Sequence, residues 1–318
     1  MGFPGVSLVK SDIKTAQQNY GEHYKAVERL ASLFEPDLVF PLMDLSVEAN
    51  AMGRYTIFPR NDSATVPRDA FSIEELERLR SINISFDSRL NCYVETVKLM
   101  RIGLAPEIIR GAYVSGPYSL ASLIMGAQEA GTASLMDPDT LTTLCDFVTE
   151  RIQEYMRLLI CAGAEVICIL EPSAVMLSPA LFEQFSASYV RHLTDSFKYS
   201  GTQIVYHTCG NTMHVVEKMV GAGVAGISLD SPEAGVDLPA VAKVVPESVV
   251  VIGNINPATT VLNGTPEQLR DEVNALLKAM DPFPNFVLST GCDLPQETPP
   301  ENILAFMRAG RSYRIGCR

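Results

Sequence analysis

The sequence predicts an α/β fold, a (β/α)8 TIM barrel with an N-terminal helical extension over residues 1–36, on three observations. Short apolar runs suited to strands buried on both faces alternate with amphipathic helical patterns, the sequence form of a parallel sheet covered by helices. No glycine-rich G-x-G-x-x-G fingerprint follows the first run, which argues against an open dinucleotide-binding sheet. Polar and metal-ligating residues stand at the ends of several runs, where a barrel gathers its reactive groups. With 318 residues, 47 % hydrophobic and 19 % charged, the chain 1–318 is long enough to form one such barrel as a single domain.

The elements follow in order. Residues 11–34 are helical and amphipathic, with Tyr24, Val27, Leu30 and Leu33 at three-residue spacing. Strand runs are Leu38 to Met43, Ile108 to Val114, Val166 to Leu170, Gln203 to Tyr206, Val224 to Leu229, Ser248 to Ile252 and Phe286 to Leu288, and an eighth is expected within residues 55–100. Leu141, Leu144, Val148, Ile152, Tyr155 and Leu159 trace one face of a long helix. Thr265-Pro266-Glu267-Gln268 carries a cap, a first-turn proline and a capping-box glutamine. Thr298-Pro299-Pro300-Glu301 repeats that device, and Ser178-Pro179 opens another helix.

Charge and cysteine usage exclude several functions. A formal net charge of −12 with no basic run argues against nucleic acid and against an anionic membrane surface. The longest apolar region, Leu158 to Leu170, contains Glu165 and is too short to span a bilayer, and the Met1-Gly2-Phe3-Pro4-Gly5 start lacks the form of a secretory signal. A cytoplasmic protein is expected, in which seven cysteines point to metal or structural thiols, not a disulfide framework. Cys145, Cys161 and Cys168 read as packing residues and Cys317 as incidental.

The most informative motif is His207-Thr208-Cys209, at the end of the run Gln203 to Tyr206. Four histidines and seven cysteines give a His-x-Cys spacing by chance roughly 0.1 times per chain, so position must supply the rest. Residues i and i+2 of an extended segment face the same side, and Cys292 follows another apolar run in Ser289-Thr290-Gly291-Cys292-Asp293. His207, Cys209 and Cys292 therefore make three soft ligands for one Zn2+ with a position left open for chemistry. Two thiolates and a neutral imidazole leave the ion formally neutral, so a substrate thiolate can join it and keep its nucleophilic charge. That ligand set suits alkyl transfer to a small thiol; hydrolytic zinc more typically carries histidine and carboxylate ligands.

Glu171 and Asp230, each a carboxylate directly after a buried run, are candidate catalytic residues, as a fourth ligand or as groups that cap a helix or hold a ligand. His23 and His192 are expected in solvent on amphipathic helices, and His214 at the surface or behind the ligands. Tyr206, opposite in parity to both ligands, is a core residue, as are Met156 and Met176. Asn254 and Asn256 bind a polar group or form a turn, and Arg54, Arg60 and Arg68 form a solvated loop face or bind a sulfonate, carboxylate or phosphate.

Four segments together resemble the uroporphyrinogen decarboxylase superfamily over nearly the whole chain. They are Gly116-Pro117-Tyr118-Ser119-Leu120-Ala121, Glu171-Pro172-Ser173-Ala174 with Leu177 to Phe182, His207-Thr208-Cys209-Gly210-Asn211, and Gly291-Cys292-Asp293 with Thr298 to Asn302. The His-x-Cys and the distal cysteine resemble its methylcobalamin:coenzyme M methyltransferase branch. That resemblance implies zinc on His207, Cys209 and Cys292. It also implies methylcobalamin as methyl donor on a separate corrinoid protein, and a small thiol such as coenzyme M or homocysteine as acceptor. Two other activities stand beside it: demethylation of a small methoxy or methylamine compound, and uroporphyrinogen decarboxylation. The decarboxylase carries an arginine-rich N-terminal motif, whereas the first strand here reads Phe40-Pro41-Leu42-Met43-Asp44.

Overall fold

Seven parallel strands lie side by side in chain order in the computed structural model, which describes residues 2–67 and 71–313. They are β1 (Leu38–Val39), β2 (Ile109–Ser115), β3 (Val166–Leu170), β4 (Gln203–Thr208), β5 (Gly226–Leu229), β6 (Val250–Ile255) and β7 (Phe286–Thr290). Helices connect them, giving a TIM-barrel-like α/β fold. The alternation along each strand is what makes the runs apolar throughout. Val166, Cys168, Leu170 and Val205 pack together inside the curled sheet with Phe40, Met43, Tyr113 and Ile252. Their neighbours Ile167, Ile169, Ile204 and Tyr206 join the larger core under the helices. Tyr206 is thus a core residue, as its parity predicts, stacked on Phe182 with ring centroids 5.9 Å apart.

The strand count differs from expectation. Residues 55–100 hold no eighth strand among the described residues, only an isolated antiparallel bridge between Ile57 and Thr65, then two short 3-10 turns and helices Leu76–Arg80 and Ser88–Gly103. The physical reason lies in the pattern, since Leu90, Val94 and Val97 are buried at helical spacing. The sheet runs from β1 to β7 without a β7–β1 ladder among the described residues. Leu38 and Phe40 on one side and Leu288 on the other line a shared cavity, whose wall Phe306 and Met307 of the Pro300–Ser312 helix help to complete.

The N-terminal helices Gly2–Leu8, Ile13–Gln18 and Tyr20–Phe34 pack on this side of the molecule. Leu30 and Phe34 share a core with Ile303 and Phe306, and Arg311 donates to the Phe34 carbonyl at 2.7 Å. His23, expected in solvent, is fully buried and its Nε2 accepts the Leu42 backbone N–H at 2.8 Å. It lies one helical turn before Val27, on the apolar face of its helix.

Other elements follow the signals read from the chain, with four residues departing from them. The long helix is Pro138–Ala162, and Thr265 and Gln268 form the full capping box. Thr298 does not cap the last helix: Pro299 is the N-cap, and the Thr298 hydroxyl donates to the Pro295 carbonyl. Met176 is 86 % exposed at the end of a 3-10 turn, and Cys161 is exposed, so neither is a packing residue. Arg54 is buried beside Glu75 and not in a solvated loop, while Arg60 is exposed beside Asp12. Arg68 and Cys317 lie outside the described residues. Among the described residues no helix is long and apolar enough to cross a membrane.

Candidate metal centre at the barrel mouth

β4 carries its inward-facing positions through Val205 to His207, and Cys209 continues that parity one step past the strand. Gly210 then turns at φ +81°, in the left-handed region that glycine occupies without strain. Asp230, just after β5, accepts the Gly210 N–H at 2.7 Å and the Ser231 N–H at 2.6 Å, which fixes the loop holding Cys209. The β7 loop meets the same place because Gly291 has no side chain: a Cβ there would sit 2.6 Å from the Ser231 nitrogen. That close approach delivers Cys292.

The three expected ligands converge. His207, Cys209 and Cys292 each offer one ligand atom, all within 4.8 Å of one another. The His207 Nε2 lies 3.2 Å from the Cys209 Sγ, and the two sulfurs are 3.9 Å apart. Tetrahedral zinc with bonds of about 2.3 Å to sulfur and 2.0 Å to nitrogen sets two sulfurs about 3.8 Å apart and nitrogen from sulfur about 3.5 Å. The donors fit such an ion. His207 Nδ1 faces the Ser228 carbonyl and hydroxyl, both at 3.1 Å, so Nε2 is the atom turned to the cluster. The hydrogen bond that the two thiols share, and the His207 ring beside them, hold the Cys292 thiol below its ordinary value, while the same contact and burial push Cys209 up.

Neither carboxylate belongs to this group of three. Glu171 is fully buried against the start of the Pro117–Met125 helix. It accepts the N–H groups of Tyr118 and Ser119 at 2.9 and 2.8 Å and the Ser186 hydroxyl at 2.9 Å. Burial raises its pKa to about 7 against the pull of those donors. Gly116 makes the room, since a Cβ there would overlap the Glu171 Cγ at 2.0 Å. Asp230 works through backbone, as described. His192 and His214 are exposed, as expected for surface groups, and His214 Nε2 is 3.2 Å from the Leu177 carbonyl. Asn254 Nδ2 donates to the Asp230 carbonyl at 2.9 Å, and Asn256 caps the following helical turn.

A cavity of about 180 Å³ opens beside the cluster, with His207, Cys292 and Ser228 in its wall. Tyr113, stacked on Phe40 with centroids 4.5 Å apart, and Cys168 line it as well. Sequence reasoning missed Ser228, Gly291 and the Tyr113 wall. Ser228 was findable, as a polar residue inside the apolar run of β5; the other two depend on which loops meet.

The model of the family described as "Uroporphyrinogen decarboxylase (URO-D)" matches residues 10–313. The chain belongs to the URO-D family. Among similar URO-D relatives is a methylcobamide:CoM methyltransferase MtbA of Methanosarcina acetivorans, 27 % identical over 245 residues, covering 76 % of this chain and 69 % of that one. A uroporphyrinogen decarboxylase of Synechococcus sp. (strain CC9605) is also 27 % identical, over 293 residues, covering 89 % and 81 %. Among solved structures, a methyltransferase from Methanosarcina mazei superposes with a TM-score of 0.87 at 24 % identity, covering 97 % of this chain and 90 % of that one, a likeness of fold.

Proposed function

We propose that this URO-D family chain is a zinc-dependent methyltransferase that moves a methyl group from a methylated corrinoid, carried by a separate protein, to a small thiol. Identity does not choose between the two kinds of relative, since both named examples stand at 27 %. The observation that carries the reading is the His207, Cys209 and Cys292 cluster, a sulfur-rich donor set that decarboxylation has no use for. The names of the MtbA and MtaA relatives from Methanosarcina acetivorans and Methanosarcina barkeri agree with it.

Zinc bound there supplies the acidity that holds a substrate thiol as thiolate at neutral pH. The chain's residues do the rest. Ser228 fixes the His207 ring, Asp230 fixes the Cys209 loop through Gly210, and Gly291 lets the Cys292 loop approach. Glu171 is in this reading a positioning residue that docks the Pro117–Met125 helix on the mouth. In the reaction the substrate sulfur forms the new S–C bond, and the electron pair of the Co–C bond stays with cobalt as cob(I)alamin leaves.

The test mixes the protein with methylcobalamin and a panel of thiols and follows the absorbance change to cob(I)alamin. Transfer to at least one thiol, abolished in Cys292→Ala, is expected. Inactivity with every thiol, alongside turnover of uroporphyrinogen, would overturn the proposal.

A further inference from the structure

We propose that Cys209 and Cys292 close into a disulfide when they hold no metal ion, so that the metal centre is also a reversible site of oxidation by hydroperoxides. The inference rests on the proposed zinc and thiol chemistry of the cluster and adds a regulation to it: bound zinc keeps the pair open, and the disulfide keeps zinc out.

The two sulfurs stand 3.9 Å apart, on cysteines that are free and half-buried. A disulfide holds them at about 2.05 Å, so each sulfur has to move about 1 Å. Both residues lie beyond the ladders that would resist such a shift, since β4 ends at Thr208 and β7 at Thr290. Their loops are already packed against a common neighbour. Asp230 holds the Gly210 N–H next to Cys209, and Gly291 runs so close to Ser231 that a Cβ on it would sit 2.6 Å from the Ser231 nitrogen. The backbone thus delivers to one place two sulfurs that are 83 residues apart in the chain.

An ion changes the outcome. Bonded at about 2.3 Å to one tetrahedral zinc, the two sulfurs are fixed about 3.8 Å apart and neither can approach the other. Once joined, they are no longer thiolate donors, and of the three ligand residues only His207 is left to hold a metal.

Cys292 stands in the wall of the 180 Å³ cavity, where a small peroxide meets it. Its sulfur attacks one peroxide oxygen, the O–O bond breaks, and a sulfenic acid and water form. The Cys209 sulfur then attacks the sulfenic sulfur: the S–S bond forms, the S–O bond breaks, and hydroxide leaves with the Cys209 proton as water. Two thiols and hydrogen peroxide become one disulfide and two waters, with two electrons passing from sulfur to the peroxide. Small thiols reverse it by exchange, the first opening the S–S bond as a mixed disulfide and the second leaving with the first as a separate disulfide. The class of molecule proposed as methyl acceptor is therefore also the class that reopens the centre. Cys168 shares the cavity wall but is not one of the three residues whose donor atoms lie within 4.8 Å of one another, which makes it an internal control.

The experiment uses the full chain in two forms, zinc-loaded and stripped by a chelator under reductant, each then exposed to hydrogen peroxide. Free thiols are counted, the cross-linked peptides are mapped by mass spectrometry, and zinc uptake is titrated before and after dithiothreitol. The stripped protein should lose two thiols per chain to a Cys209–Cys292 link, take up no zinc, and regain uptake on reduction. The zinc-loaded form should lose them at least about ten-fold more slowly. Cys168→Ser should leave all of this unchanged, and circular dichroism checks that each form stays folded. A stripped, folded protein that keeps both thiols overturns the inference, as does a Cys168–Cys292 link or equal rates with and without zinc. Methyl transfer by the zinc-loaded protein beside an inert stripped pair would sink this inference alone. Closure and protection by zinc, with no thiol ever methylated, would sink the methyltransferase reading alone.

Discussion

Ser228 is the residue whose removal should be felt most without touching a donor. It holds Nδ1 of His207 through its carbonyl and hydroxyl, and a metal-binding histidine owes its orientation to that second contact. Ser228→Ala keeps the carbonyl and loses the hydroxyl, so metal affinity should fall by about 10- to 100-fold while the fold is retained. A competition titration with a chelator of known affinity measures this, and an unchanged affinity would mean that the carbonyl alone orients the ring. The clustering of the donors was legible in the sequence because strand parity is a local property: His207 and Cys209 share a face whatever the rest of the chain does. His23 was misread although its signal was also local. It stands four residues before Val27 and seven before Leu30, the spacing of a buried face, and only its polarity suggested solvent.

At the scale of elements, His23 joins the Tyr20–Phe34 helix to the backbone that follows β1. Burial lowers its pKa from 6.5 to about 3, so the folded protein holds it neutral where the unfolded chain takes a proton. A depressed folded pKa contributes stability that is fully present above pH 6.5 and is lost as pH falls toward 3, by at most about 1.4 kcal/mol per pH unit. The stability of the wild type relative to His23→Gln should therefore fall by about 1 to 2 kcal/mol between pH 7 and pH 5 in urea titrations. A difference that stays flat over that range contradicts the assignment. Glu171 shows why some element contacts could not be read in advance. Its position after an apolar run was visible, but its partners are backbone N–H groups at the start of a helix 53 and 52 residues earlier, and that docking depends on the empty side of Gly116. The missing eighth strand has a different cause. Within the stretch 55–100, Leu90, Val94 and Val97 carry the helical period and not the unbroken apolar run of a strand.

For the whole molecule, the seven-stranded sheet sets β4, β5 and β7 so that their loops meet at one mouth, and the N-terminal helices brace the side where β1 and β7 form no ladder among the described residues. Fold class and strand order followed from the alternation of apolar runs and helices, a pattern that extends along the chain. The cavity did not, because its wall mixes residues from β1, β2, β3, β6 and β7 with the last helix, and only the curling of the sheet brings them together. The central claim, that His207, Cys209 and Cys292 hold one ion that serves chemistry on a thiol, is tested most directly by the metal content of the purified protein and its cysteine variants. About one zinc per chain is expected in the wild type, with the metal lost in Cys209→Ala and in Cys292→Ala while each variant keeps its helical content. Full zinc content in both variants, or none in a folded wild type supplied with zinc, would contradict the account.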